Sequence, residues 1–157
     1  MANNESNADE PTRPHAMGLL ARGRDLLSLW SAASTRPDAP RPHFRWVRAP
    51  ERGLAMVRGR MSGTGTPFNL GEVTVTRCTL ETEKGYVGTA YVQGRDTEHA
   101  TIAALADALF QDPRNRRWIT THLLEPLEIR ERANHAASRA ATDATKVDFF
   151  TLVRGDN

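Results

Sequence analysis

Val73–Gln111, VTVTRCTLETEKGYVGTAYVQGRDTEHATIAALADALFQ, is the stretch on which the fold turns. From Val73 to Glu83 the residues alternate, so that Val73, Val75 and Arg77 point one way and Thr74, Thr76 and Cys78 the other. Lys84-Gly85 is a turn signal, and Tyr86 to Gln93 has strand composition again, so the two segments predict an antiparallel hairpin. The period then changes from two to 3.6. Asp96 is a natural N-cap, Glu98 lies in the first turn where the helix dipole favours negative charge, and Ile102, Leu105, Ala106 and Leu109 form a core-facing stripe up to Gln111. Asp112-Pro113 ends that helix.

Outward from this centre, His43 to Val47 and Leu54 to Met61 read as two more strands, separated by Ala49-Pro50-Glu51-Arg52-Gly53, a connection short enough for a hairpin. Val147 to Val153, VDFFTLV, is β-branched and aromatic enough for a fifth. The expectation is an α+β fold: an antiparallel sheet of four to five strands with helices packed mainly on one face. His15 to about Ala33 approximates a helical stripe through Met17, Leu20, Leu27 and Trp30. The prolines at 37, 40 and 42 make Ser34 to Pro42 a linker. Arg114 to Leu124 and Leu127 to about Ala141 are helical in pattern, with Pro126 either separating them or occupying the first turn of the second. Residues 1–14 are polar and proline-punctuated and predict a disordered tail, which leaves 15–157 as a single domain.

A chain of 157 residues can bury one sizeable core without a disulfide framework. Cys78 is the only cysteine, which favours a reducing cytoplasm, and with no His or Asp motif beside it the thiol reads as a half-buried strand residue. The amino terminus lacks the apolar core of a signal peptide, and no apolar run is long enough to span a membrane. The formal charge is +2, with basic residues in scattered pairs and no interleaved aromatics, which argues against nucleic acid. An anionic small ligand or an acidic partner surface suits the arginines better.

Arg58 to Cys78, RGRMSGTGTPFNLGEVTVTRC, places arginines around a glycine-rich loop between strand-like runs. Backbone N–H groups freed by Gly63, Gly65 and Gly71, with Thr64 between the first two and Arg58, Arg60 and Arg77 as fork-shaped donors, can hold phosphate or phosphonate oxygens. The loop is not a phosphate-binding P-loop, because no Lys-Ser/Thr pair follows it and it leads into a strand. The alternative is a long hairpin connection whose glycines serve turns and bulges. Arg95, at the start of the central helix, is a second anion candidate, in competition with ordinary capping by Asp96. Glu72 is the one carboxylate close to the arginine cluster, as an acid–base group or a salt-bridge partner. Histidines 15, 43, 99, 122 and 135 have no metal-ligand spacing, and no metal is expected. Phe149, Phe150 and Arg154, in a carboxy-terminal strand flanked by Asp148 and Asp156, can serve this core or meet a partner.

Three blocks, RGRMSGTGTPFNLGEVTVTRC (58–78), GYVGTAYVQGRDTEHATIAALADAL (85–109) and VDFFTLVRGD (147–156), together resemble the PhnG family, the small G subunit of the bacterial carbon–phosphorus lyase core complex. The resemblance runs from about Pro14 to Asn157; it departs at Ser62-Gly63-Thr64-Gly65, where the family pattern usually opens with two glycines. It implies a subunit that assembles with the H, I and J subunits in organic phosphonate catabolism, with ATP as co-substrate of the complex and no cofactor bound by this chain alone. The reaction implied couples methylphosphonate to C1′ of the ATP ribose and releases adenine. The nucleosidase-like chemistry is usually placed on the I subunit, so the expected role here is assembly and support, with help in holding phosphate groups. The alternatives are a purely structural subunit and a free-standing binder of a phosphorylated metabolite.

Overall fold

The computed structural model describes residues 11–60 and 65–144. The elements run α1 (Arg13–Arg22), α2 (Leu26–Ser34), β1 (Phe44–Arg60), β2 (Pro67–Thr82), β3 (Val87–Gln93), α3 (Thr97–Gln111), α4 (Pro113–Ile119), a π-helical turn (Thr120–Leu124) and α5 (Glu125–Ala144). The three strands form one antiparallel sheet in the order β1-β2-β3. The architecture is the expected α+β, with three strands among the described residues where four to five were expected. The expected fifth strand at 147–153, with Phe149, Phe150 and Arg154, lies outside the described residues, as do residues 1–10 and the loop residues Gly63 and Thr64.

One strand is lost because the expected hairpin at Ala49–Gly53 does not form. The chain runs straight through it as a single 17-residue strand, with register irregularities between Trp46 and Arg48 and between Arg48 and Glu51 that absorb the misfit. Pro50 is tolerated because β1 is an edge strand among the described residues, where a missing N–H need not break a ladder bond.

The hairpin between β2 and β3 forms as the residue pattern predicts. Gly85 N–H donates to Thr82 O at 2.8 Å, and Gly85 takes φ +82°, a conformation that favours glycine. Alternation holds on β2, where Thr76, Cys78, Leu80 and Thr82 are buried under the helices while Val73, Val75 and Arg77 face outward. On β3, Gly88, Ala90 and Val92 are buried on the helix side.

Helix α3 is the centre of the molecule. Its expected cap is present, Asp96 accepting from His99 N–H at 2.9 Å, but burial is not confined to the stripe through Ile102, Leu105 and Leu109: every residue from Ala103 to Phe110 is buried. The sheet covers one side, and α1, α2 and α4 cover the other. Ala100, Ala104 and Ala108 keep the helix thin enough to lie close on β3; a Cβ at Gly88 would stand 1.9 Å from Ala104 O.

The amino-terminal helix is two helices, broken at Gly23–Asp25, and it starts earlier than the tail boundary at residue 14 implied. Arg13 is already helical, and its guanidinium donates to the buried carboxylate of Asp107 through Nε and Nη2, both at 2.9 Å. Beyond α3, the helical backbone passes from α4 through the π-helical turn into α5, with Pro126 in the first turn of α5. Proline cannot donate to the carbonyl four residues back and its ring crowds it, and the wider turn just before it accommodates both defects.

Candidate functional site

β3 pairs with β2 only between Val75 and Glu81, so the rest of the β1–β2 pairing, from Leu54–Thr74 outward, is a two-stranded ribbon. Arg58 and Arg60 lie on this ribbon, opposite Asn69 and Pro67. They alternate with exposed Leu54 and Met56 and share their face. Leu54 stands opposite Thr74, which places that face on the helix side of the sheet.

The structure does not bring Arg77 to this group. It pairs with Glu51 on the outer face, Nε to Oε1 at 2.6 Å, and Glu51 also meets Arg48 at 3.4 Å. The hydrogen bond from Arg77 to Glu51 raises the guanidinium pKa. Along β2, eight positions separate Arg77 from the residue opposite Arg58, roughly 26 Å of strand. Of the three arginines expected to hold a ligand together, two are therefore at the ribbon and the third is at its root on the other side. Gly65 follows the tip in a bend.

Arg95 does join the helix-side face. Its carbonyl accepts from Arg52 Nε at 3.3 Å, and Arg52, Gly53, Leu54, Thr74 and Arg95 line an open cleft of 310 Å³. Gly94, at φ +102°, turns the chain from β3 into α3 there, and Asp96 occupies the His99 N–H that an anion would otherwise seek. The sequence pattern places Arg52 in a turn and so does not mark it for this face; its position one alternation step from Leu54 is the one local signal that does. Arg52, Arg58, Arg60 and Arg95 have no carboxylate partner among the described residues, whereas Arg45 is paired with Glu81. Glu72 stands across from Met56 on the same face.

Reactive groups are placed elsewhere and are occupied. Cys78 is buried, its Sγ donates to Ala100 O at 3.1 Å, and burial pushes the thiol up to about 11. His99 donates through Nε2 to Leu20 O at 2.8 Å, and His122 through Nδ1 to Trp118 O at 3.0 Å. His15 and His135 lie beside Glu128 and Glu131. Among the described residues no group of three His, Cys, Asp or Glu side chains is arranged to hold a metal ion, and no helix is long and apolar enough to cross a membrane. The face is equipped to bind anionic groups through arginine forks.

Residues 11–155 match the family model described as phosphonate metabolism protein PhnG. The chain is also similar to a protein of Rhizobium meliloti (strain 1021), the alpha-D-ribose 1-methylphosphonate 5-triphosphate synthase subunit PhnG. The identity is 41% over 159 residues, covering 99% of this chain and 97% of that protein.

Proposed function

The chain belongs to the PhnG family of phosphonate metabolism proteins, and from that premise we propose that it is a cytoplasmic subunit of the carbon–phosphorus lyase core complex. It assembles there with the H, I and J subunits and supports transfer of methylphosphonate to C1′ of the ATP ribose with release of adenine. The observation that carries this reading is the near full-length identity to a relative named as a subunit of that synthase. The chemistry of the described residues agrees with a supporting role: Cys78 is buried and protonated, His99 and His122 are bonded to carbonyls, and the unpaired cations are arginines, which hold oxyanions rather than move protons.

Displacement at an anomeric carbon needs the phosphate groups held in place and water kept from the cation-like transition state. In this chain Arg52 and Arg95, on either side of the open cleft, are the pair suited to the holding. The test is an assay of adenine release from ATP and methylphosphonate by the remaining subunits, with and without this chain. Release should require it. An Arg52→Ala/Arg95→Ala double variant, assayed with the remaining subunits at saturating concentration, should raise KM for the anionic substrate by about tenfold, the equivalent of one charged hydrogen bond. Full activity of the remaining subunits alone would overturn the reading, and an unchanged KM would remove the two arginines from it.

A further inference from the structure

We infer that the distal β1–β2 ribbon, residues 54–60 and 67–73, is a docking finger gripped by an apolar cleft of another subunit of the synthase, whose carboxylates meet Arg58 and Arg60. This rests on the assembly role proposed above and specifies its surface. Beyond the last β2–β3 pair the ribbon has only two strands, and such a ribbon buries too little on its own to be stable in water. It nevertheless presents large apolar side chains on both faces. Leu54 and Met56 are 65% and 53% exposed on the helix side, and Phe68 and Leu70 are 43% and 60% exposed on the opposite side, where Leu70 lies over Gly59. Apolar surface concentrated in this way marks a binding site.

Charge selects the occupant. The helix-side face, with Arg52, Arg58, Arg60 and Arg95 against Glu72, carries four positive charges and one negative, a net +3. A second copy docked through the same face would oppose like charges, since a two-fold interface matches a patch with itself. A small anion would satisfy the arginines and leave the four apolar side chains in water. A protein cleft with an apolar floor and a carboxylate rim satisfies both.

The experiment measures affinity of the purified chain for the complex of the remaining synthase subunits, as a function of salt. Arg58→Glu/Arg60→Glu and Leu54→Ser/Met56→Ser should each weaken binding at least tenfold, and the charge variant should also flatten the salt dependence. Hydrogen exchange at residues 54–60 and 67–73 of the unaltered chain should slow on assembly, a readout that does not depend on the folding of any variant. If the unaltered chain fails to bind, the assembly reading itself falls. If it binds and the ribbon is neither protected nor sensitive to substitution, this inference alone is overturned. Variants that assemble normally but lose turnover would show a small-anion contact at Arg58 and Arg60, and an unaltered chain that dimerises through the ribbon would show a second copy; either outcome overturns the proposal.

Discussion

Asp107 is a carboxylate within the buried run Ala103–Phe110 of α3, and it ties three parts of the chain together. It accepts from Arg13 on α1 and from Thr89 N–H on β3, the latter at 3.0 Å. Asp107→Ala strands a β3 donor and removes the carboxylate that anchors the half-exposed Arg13, and should cost about 1–3 kcal/mol of unfolding free energy in urea titrations; a loss below about 0.5 kcal/mol would refute this role. Cys78 gives a second expectation. Its folded pKa, near 11, lies above the unfolded value of 9.0, so its contribution to stability is complete below pH 9 and lost as the pH rises toward 11. The thiol of the native protein should resist iodoacetamide at pH 8 and react on unfolding, and Cys78→Ala should flatten the alkaline stability loss. Of these two residues, alternation along the strand made it legible that Cys78 shares a face with Thr74 and Thr76, but half-burial was expected and the residue is fully buried, because helix α3 packs over that face. Asp107 was not legible, because its partner Arg13 is 94 residues away in what reads as a polar tail.

Helix α3 and strand β3 show what a periodic pattern does and does not carry. The cap at Asp96, the stop at Asp112-Pro113 and the turn at Gly85 were legible because each depends on neighbours within four residues. The all-round burial of α3 was not, since it comes from helices whose docking the local pattern does not encode. Gly88→Ala tests that close packing: the added methyl meets Ala104 O at 1.9 Å, so strand and helix must move apart, at about 3 kcal/mol or more. A melting temperature within 2–3 °C of the parent chain would contradict it, given about 4 °C or less per kcal/mol at this size. The misread turn at Ala49–Gly53 has the same origin. Proline and glycine are turn formers locally, but an edge position and strand irregularities let pairing with β2 continue past them.

Across the whole molecule stability is uneven, and hydrogen exchange should map it. Amides of α3, covered on both sides, should exchange slowest, through global unfolding, while residues 132–142 of α5, whose side chains are exposed, should exchange through local fraying. Comparable protection in the two segments would contradict this division. The sequence by itself determined the α+β class, the central hairpin, the capped helix and the family, because these rest on short-range periodicity, turn chemistry and ordered motif blocks. Only the tertiary structure decided that β1 is one long edge strand, that Arg77 turns away from Arg58 and Arg60, and that Arg52 and Arg95 share a cleft. Which face a strand residue occupies follows from register with a partner strand. Register is fixed by long-range pairing and by bulges, and neither can be read from a single strand.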